Sequence, residues 1–482
     1  PASNAADAES LKQTETQKEK DLAPPHDPGG PAPRSFSEGG TESGDIRINV
    51  WKGAINAWKA NPIFGTGVET FAFAYYKYKP VEHNLTSEWN FLYNKAHNEY
   101  LNHLATTGAF GLGSYLLMIG TFLFLSIKNL KSQISNPKQI QNHNDQNKKN
   151  FENYNLKNSN LFGTWNFEFG ILTLALLASY ISILITNFFG FSVVITNIYL
   201  FMIPAFIFVV GEMLQPKKQF VFPGAESGIV TRISPYQWIS ILFIILASLF
   251  MILTLFRFWR ADITYALGFN LDRAGEYQEA YPALHKAVEL RGSELVFKDE
   301  LSINDAIIAA ALLAQKPPDD QKEQTASVSS SLIQEAISTT NEIVSKSPNN
   351  AVFWKTRTRL FHTLSQIDSR YLPRALDSIE KASILAPNDA NIWYNLGVIY
   401  GQNNNIEKGI TALEKTVKLK PDYRDARYGL GLFYHTASLD DAGKVVVNET
   451  LNQKAIEQMQ YILDHIAPQD EGAMDSLKTW KQ

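Results

Sequence analysis

Three blocks of this chain, Leu104 to Ile127, Phe169 to Gly211 and Ile233 to Phe256, contain no Asp, Glu, Lys or Arg. About 20 apolar residues in helical form cross the hydrocarbon core of a bilayer, and lipid leaves few alternatives to helix for such runs. The middle block is long enough for two spans joined by a tight turn near Asn187-Phe188-Phe189-Gly190, so four transmembrane helices are expected. Lys128, Lys131, Lys138, Lys148, Lys149 and Lys157 follow the first block, and Lys217, Lys218 and Arg232 follow the second, while the turn between spans two and three has no basic residue. The positive-inside rule makes both basic loops cytoplasmic, and Trp165, Trp238 and Trp259 stand where interfacial aromatics belong. Residues Arg47 to His103 and everything after Trp259 are then expected outside the cytoplasm.

With 482 residues the chain is too long for one domain. Its net charge of −4 offers no basic field for nucleic acid, and the absence of cysteine excludes disulfides, thiolate metal sites and a cysteine nucleophile. It opens at Pro1 with no signal peptide in view and reads as a piece of a longer protein. Residues 1–45, rich in Pro, Gly, Ser, Ala, Glu and Lys, cannot bury enough surface to offset ordering entropy and are expected to be disordered.

From Arg47 onward, Ile48, Trp51, Ile55 and Trp58 recur at helical spacing, and Asn61-Pro62 ends that helix. Gly65-Thr66-Gly67 makes a tight turn, and a second helix is expected from about Glu88 to Thr107. It carries Lys95-Ala96-His97-Asn98-Glu99-Tyr100-Leu101, a cluster of polar groups at the edge of the first apolar block, where such groups tend to mark function. Imidazole is the side chain most easily tuned near neutral pH. With His83 and His103 it suggests zinc, but there is no His-x3-His pair and no supporting carboxylate spacing, so no metal and no cofactor is expected.

The final 220 or so residues repeat. Trp393-x2-Leu396-Gly397-x2-Tyr400, with Leu413, Pro421 and Pro387, matches the tetratricopeptide signature. Weaker copies carry Gly268, Gly275, Tyr277, Ala280 and Ala287; Ala336 and Pro348; and Trp354, Ala375 and Ala382. Tyr428 to Pro468 reads as a degenerate fifth copy with an insertion. The fold expected is therefore all-α: a partial multi-pass transmembrane bundle followed by an α-solenoid of tetratricopeptide repeats, which generally presents a concave surface to a protein partner. The boundaries expected are 1–45 disordered, 46–109 an extracytoplasmic catalytic loop, 110–258 four transmembrane helices with cytoplasmic loops near 128–164 and 214–235, and 259–482 the repeats.

Arg47-x3-Trp51-x2-Ala54, Asn61-Pro62-x2-Gly65-x-Gly67-x3-Phe71, His97-Asn98-x-Tyr100-Leu101 and Gly108-x2-Gly111-Leu112, in that order, resemble the O-antigen ligase superfamily of lipopolysaccharide ligases, O-antigen polymerases and bacterial O-oligosaccharyltransferases. The resemblance covers roughly Arg47 to Gly211. It implies a metal-independent, inverting membrane glycosyltransferase, working at the outer face of the inner (cell) membrane on a glycan carried by undecaprenyl diphosphate, with a hydroxyl of lipid A core, growing glycan or protein as acceptor. It also implies about ten or more spans, many of them upstream of Arg47 with another functional arginine, so this chain alone is expected to be an incomplete enzyme. The alternative is a non-enzymatic membrane scaffold in which the repeats do the work.

Under the enzyme reading, Arg47 supplies a bidentate donor to the diphosphate; otherwise it is an interfacial arginine on an amphipathic helix. His97 accepts or orients the acceptor proton, or is a hydrogen-bonded structural histidine. Asn98 caps or orients the imidazole, and Glu99 is a weaker alternative base. Lys95 and Lys79 add positive potential for phosphates or lie on a solvated face. Tyr100 and Trp51 join the substrate site, while Trp51, Tyr75, Tyr76, Tyr78 and Trp89 stack on sugars or sit among lipid headgroups. Pro62, Gly65 and Gly67 fix the loop backbone.

Overall fold

The computed structural model describes residues 41–134, 161–211, 213, 235–315, 320–440 and 446–481. Residues 1–40 of the low-complexity segment, most of both basic loops and the core of the repeat insertion lie outside the described residues. The described chain is helical, with no strand beyond one isolated bridge between Leu439 and Val446. Contacts divide it into a membrane unit, Arg47–Tyr75 with Tyr93–Phe243, and a repeat unit that joins Tyr76–Leu92 to the chain after Ile244.

In the membrane unit, α1 (Ser43–Ala60) stops before Pro62, and α2 (Phe71–Tyr78) follows the Gly65-Thr66-Gly67 turn. The buried stripe of α1 is Val50, Ala54 and Ala57, not the expected Ile48-Trp51-Ile55-Trp58 stripe, in which Ile48 is 48% exposed. The reason is close approach: the Tyr75 ring lies so near Gly53 that an added Cβ would stand 2.3 Å from it, and only small side chains fit beside such a contact.

The long helix α3 (Glu99–Ile134) carries a kink at Gly108, where φ is 68°. Two helical bonds fail there, because Ala109 N and Phe110 N donate instead to Pro62 O (2.9 Å) and Ile63 O (3.0 Å). The carbonyls they would have used, on Ala105 and Thr106, accept from Thr66 N (3.0 Å) and Gly67 N (2.8 Å). The loop thus replaces a missing turn of helix, group for group, so the kink leaves none of these four partners unsatisfied. Cβ atoms on Gly65 and Gly108 would lie 2.4 Å from the Thr106 carbonyl carbon and 2.3 Å from Ile63 O, both backbone atoms that cannot swing aside.

Helices α4 (Leu161–Phe189) and α5 (Val194–Val210) pack with α3 around Ile119, Phe122, Leu177, Tyr180, Leu200, Ile203 and Ile207. Glu99–Lys131, Gly170–Phe189 and Trp238–Ala274 are long and apolar enough to cross a membrane. This is one fewer than the four spans expected: Val194–Val210 is apolar but only 17 residues long, about 26 Å at the helical rise. The last of the three lies on α6 (Pro235–Ala274), which runs on from its apolar stretch into the first repeat. None of that apolar window is buried among the described residues, as suits a helix that is hydrophobic all round and faces lipid.

The repeats are antiparallel helix pairs: α6 with α7 (Tyr277–Leu290), joined through Gly268–Leu284 and Ala261–Ala287 packing, then α8 (Leu295–Ala314) with α9 (Lys322–Lys346), α10 (Ala351–Ser365) with α11 (Leu372–Leu385), α12 (Ala390–Gln402) with α13 (Ile406–Leu419), and α14 (Arg424–Ser438) with α15 (Glu449–His465). A final helix, α16 (Glu471–Trp480), packs on α15. The same contacts recur along the stack. Gly268 faces Leu284 as Gly397 faces Leu413, each Cβ position 2.7 Å from the leucine Cγ. Trp354 Nε1 donates to Pro348 O (2.8 Å) and Trp393 Nε1 to Pro387 O (3.0 Å), and Arg427 Nε takes the same role toward Pro421 O. Tyr400 and Tyr434 both donate to a glutamate of the preceding helix pair, Glu380 and Glu414. Ala280, Ala287, Ala336, Ala375 and Ala382 are wholly buried.

Candidate active site

Helix α3 begins at Glu99, not at the expected Glu88, so His97 precedes the helix rather than riding on it. Asn98 is its N-cap: the Oδ1 accepts from Leu101 N at 2.9 Å, which satisfies one of the orphan donors of the first turn. His97 itself stands at φ 53°, a left-handed conformation that histidine tolerates better than most side chains. The result is a half-buried imidazole projected from a tight turn, edge-on to Tyr93 (5.9 Å) and Phe191 (5.2 Å).

The turn between α4 and α5 collects the other candidates. Arg47 and Trp51 are one helical turn apart on α1. Arg47 Nη1 donates to Phe189 O at 3.1 Å, and the Trp51 ring meets Phe188 at 6.0 Å. Phe189 is the last residue of α4, where unpaired carbonyls and the negative end of the helix dipole favour a cation. Tyr100 donates to Leu184 O at 2.9 Å, and the Glu99 carboxylate accepts from Ser192 N at 3.1 Å. His103 Nε2 lies 3.6 Å from Glu99 Oε1, with its ring stacked on Tyr115. Arg47, Trp51, His97, Glu99 and Tyr100 therefore all converge on Leu184–Ser192.

Other candidates are placed differently from the sequence reading. The Lys95 ammonium donates to the Glu69 carboxylate at 2.6 Å, so its charge is matched within the protein. Lys79 does not lie on a solvated face: it is 4% exposed and donates to Trp89 O at 2.6 Å. Burial lowers its pKa to about 8, with the nearby Asp389 opposing that and Lys355 and Lys420 adding to it. The half-buried Trp89 ring packs on Tyr423 of the repeats, 5.2 Å between centroids. Gly65 and Gly67 adopt φ of 70° and 116°, and Pro62 supplies the carbonyl that Ala109 uses. Among the described residues no three His, Asp or Glu side chains converge to hold a metal.

The sequence reading passes over Phe188, Phe189, Phe191 and Ser192 as site residues. The signal available is the turn Asn187-Phe188-Phe189-Gly190 itself, a run of aromatics placed at a lipid boundary with no charged residue to explain it.

A membrane-helical protein in which a left-handed histidine turn and an arginine meet the same interhelical turn, joined to a repeat solenoid, is the class that this geometry defines. Comparison with known proteins narrows it. Residues 9–116 match the family described as O-Antigen ligase, and residues 390–423 match the tetratricopeptide repeat. The chain thus carries an O-antigen ligase domain in its N-terminal part and tetratricopeptide repeats after it. The match starts earlier than the resemblance drawn from Arg47 and ends within α3, so it covers Arg47, His97 and the Pro62–Gly67 loop but not the turn at Phe188–Ser192. No curated protein matches the chain. Among solved structures it is similar to a thermophilic tetratricopeptide-repeat protein of Thermus thermophilus, at 16% identity over 46% of this chain and 98% of that one, TM-score 0.30. It is also similar to MamA of Desulfovibrio magneticus, at 19% identity over 44% and 98%, TM-score 0.32, and to the pilF product of Pseudomonas aeruginosa, at 14% identity over 46% and 90%, TM-score 0.29.

Proposed function

We propose that this protein is a membrane glycosyltransferase that moves a glycan from undecaprenyl diphosphate to a hydroxyl acceptor at the outer face of the membrane. The observation that carries the reading is the convergence of Arg47 and His97 on the three residues Phe189 to Phe191. Among the described residues the Arg47 guanidinium makes one hydrogen bond, through Nη1, and its planar fork has further N–H groups suited to diphosphate oxygens. In the reaction the acceptor oxygen forms a bond to the anomeric carbon while the carbon–oxygen bond to diphosphate breaks. The leaving diphosphate takes the electron pair beside Arg47, and the acceptor proton passes to the His97 imidazole. Attack opposite the leaving group inverts the anomeric centre. The lysine-rich loops after the first and second apolar blocks support an orientation with this site and the repeats outside the cytoplasm, and the repeats supply a surface for a protein partner or acceptor.

The test is transfer from a lipid-linked glycan in membranes bearing the full-length protein, scored at equal protein amounts. His97→Ala should lose roughly 10²- to 10⁴-fold in rate. Arg47→Lys should lose most activity while keeping the charge, because an ammonium cannot reproduce the fork. Near-normal transfer by both variants would favour a non-enzymatic scaffold built around the repeats.

A further inference from the structure

The segment Tyr76–Leu92 belongs by its contacts with the repeats, although it is flanked on both sides by the membrane unit. It departs at Tyr75 and returns at Tyr93, whose rings pack 5.8 Å apart, so it is a closed excursion of the chain. Such a loop would ordinarily lie on the surface in water. This one has a buried side: His83 and Asn84 are wholly covered and Lys79 and Thr86 nearly so, while Val81, Leu85 and Phe91 stay exposed.

What covers it are the turns between successive repeats. Asn84 Nδ2 donates to Asn388 O (2.9 Å), and Asn388 Nδ2 donates back to Lys79 O (2.8 Å). Lys420 Nζ donates to Asn84 O (3.1 Å) while paired with Asp422 (2.9 Å), and its ammonium lies 5.0 Å from the centre of the Trp89 ring. Asn391 Nδ2 reaches Asn90 Oδ1 at 3.4 Å, and Lys355 covers the Tyr76 ring at 5.2 Å. Inside the loop Lys79 holds Trp89 O, His83 holds Glu88 O and Thr86 holds His83 O, so the excursion is braced as one body. Without the repeats, several of these buried polar groups would have no partner but water, and the loop would lose most of its fixed geometry.

We infer that the repeats act in cis as a clamp on the loop that leads into His97, with Asn388, Lys420 and Tyr423 as positioning residues for the transfer reaction. This rests on the reading of His97 as a reacting group. Three residues separate Trp89, gripped by Tyr423 and Lys420, from Tyr93, whose ring borders the His97 imidazole. The left-handed turn at His97 has no regular secondary structure before it, so its placement depends on the chain that enters it.

Hydrogen exchange on the full-length protein tests the clamp from both sides. Asn84→Ala with Trp89→Ala alters no residue of the repeats, and Asn388→Ala with Lys420→Ala alters none of the loop. Each pair should speed exchange at least tenfold in 76–92 and, with it, in 93–102, while 390–402 keeps its protection. Tyr423→Phe retains the ring and should exchange like the wild type. In transfer assays both pairs should lower kcat about tenfold or more, with the conservative Tyr423→Phe retaining the wild-type rate. Loosening confined to 76–92, with 93–102 unaffected, would overturn the clamp, as would full transfer by both pairs. Wild-type protein without transfer activity would defeat the assignment of His97 alone, and the exchange of 93–102 would still decide whether the repeats hold that turn.

Discussion

The loop at Pro62–Gly67 and the repeat stack are two solutions to the problem of fixing one helix against another. In the first, specificity lies in the backbone: four peptide groups exchange partners across the Gly108 kink, and glycine is required because any side chain would strike main-chain atoms. In the second, specificity lies in side chains of graded size, and the same glycine-to-leucine, tyrosine-to-glutamate and tryptophan-to-proline contacts recur from repeat to repeat. A contact made by the backbone has no smaller or weaker version, whereas one made by side chains can be dispersed over many copies. The membrane unit should therefore fail abruptly on single changes, and the repeats should decline by degrees.

The sharpest way to break this contrast is Gly108→Ala. The new Cβ would meet a carbonyl in a left-handed position, so a loss on the order of 4 kcal/mol or more is expected, read as loss of folded protein in detergent thermal unfolding. Gly120→Ala, on the same helix with open space around it, should leave the unfolding temperature unchanged or slightly raised. A melting curve for Gly108→Ala that overlays the wild type would refute the backbone argument.

A smaller effect is expected inside the repeats at Asp305. It is wholly buried, neither carboxyl oxygen has a hydrogen-bond partner among the described residues, and burial pushes its pKa up to about 8, with Glu335 and Asp272 adding to the rise. The folded state then holds a proton that the unfolded state releases, so stability is lost as pH rises from about 4 through about 8. Asp305→Asn should remove that slope and stabilise the protein at pH 8 by an amount on the order of a few kcal/mol, read from denaturation midpoints at pH 5 and pH 8. Equal stability of variant and wild type at pH 8 would mean that the carboxylate finds a partner or water.

The smallest effect sharpens the comparison. Tyr400→Phe and Tyr434→Phe each remove one hydroxyl from equivalent bonds to Glu380 and Glu414, and each should cost about 1 to 2 kcal/mol. Unequal losses, checked by chemical denaturation, would show that the repeats are not interchangeable in energy although they are in geometry.

The repeats are legible in the sequence because every diagnostic contact joins neighbours and so leaves a period. Helix α1 is legible as a helix but its buried face is not, since Gly53, Ala54 and Ala57 carry little hydrophobic signal, and at Gly53 only a missing Cβ leaves room for the Tyr75 ring. The start of α3 is ambiguous because Ser87 and Asn98 are both acceptable caps; the chain before Asn98 is drawn instead into contacts with the repeats. Arg47, Glu99 and Tyr100 can be singled out from the sequence, yet their shared turn at Leu184–Ser192 cannot. Partners separated by 142, 93 and 84 residues leave no local pattern to read.

The contacts between the loop and the repeat turns span 301 to 336 positions of sequence. At a ribosomal rate of about 5 to 20 residues per second, the loop emerges roughly 15 to 70 seconds before the surface that will hold it. Through that interval Lys79, His83, Asn84 and Trp89 stand undocked, while the helices on either side can already enter the bilayer. Under the clamp proposed above, a nascent chain halted before Asn388 should have its His97 turn still unset.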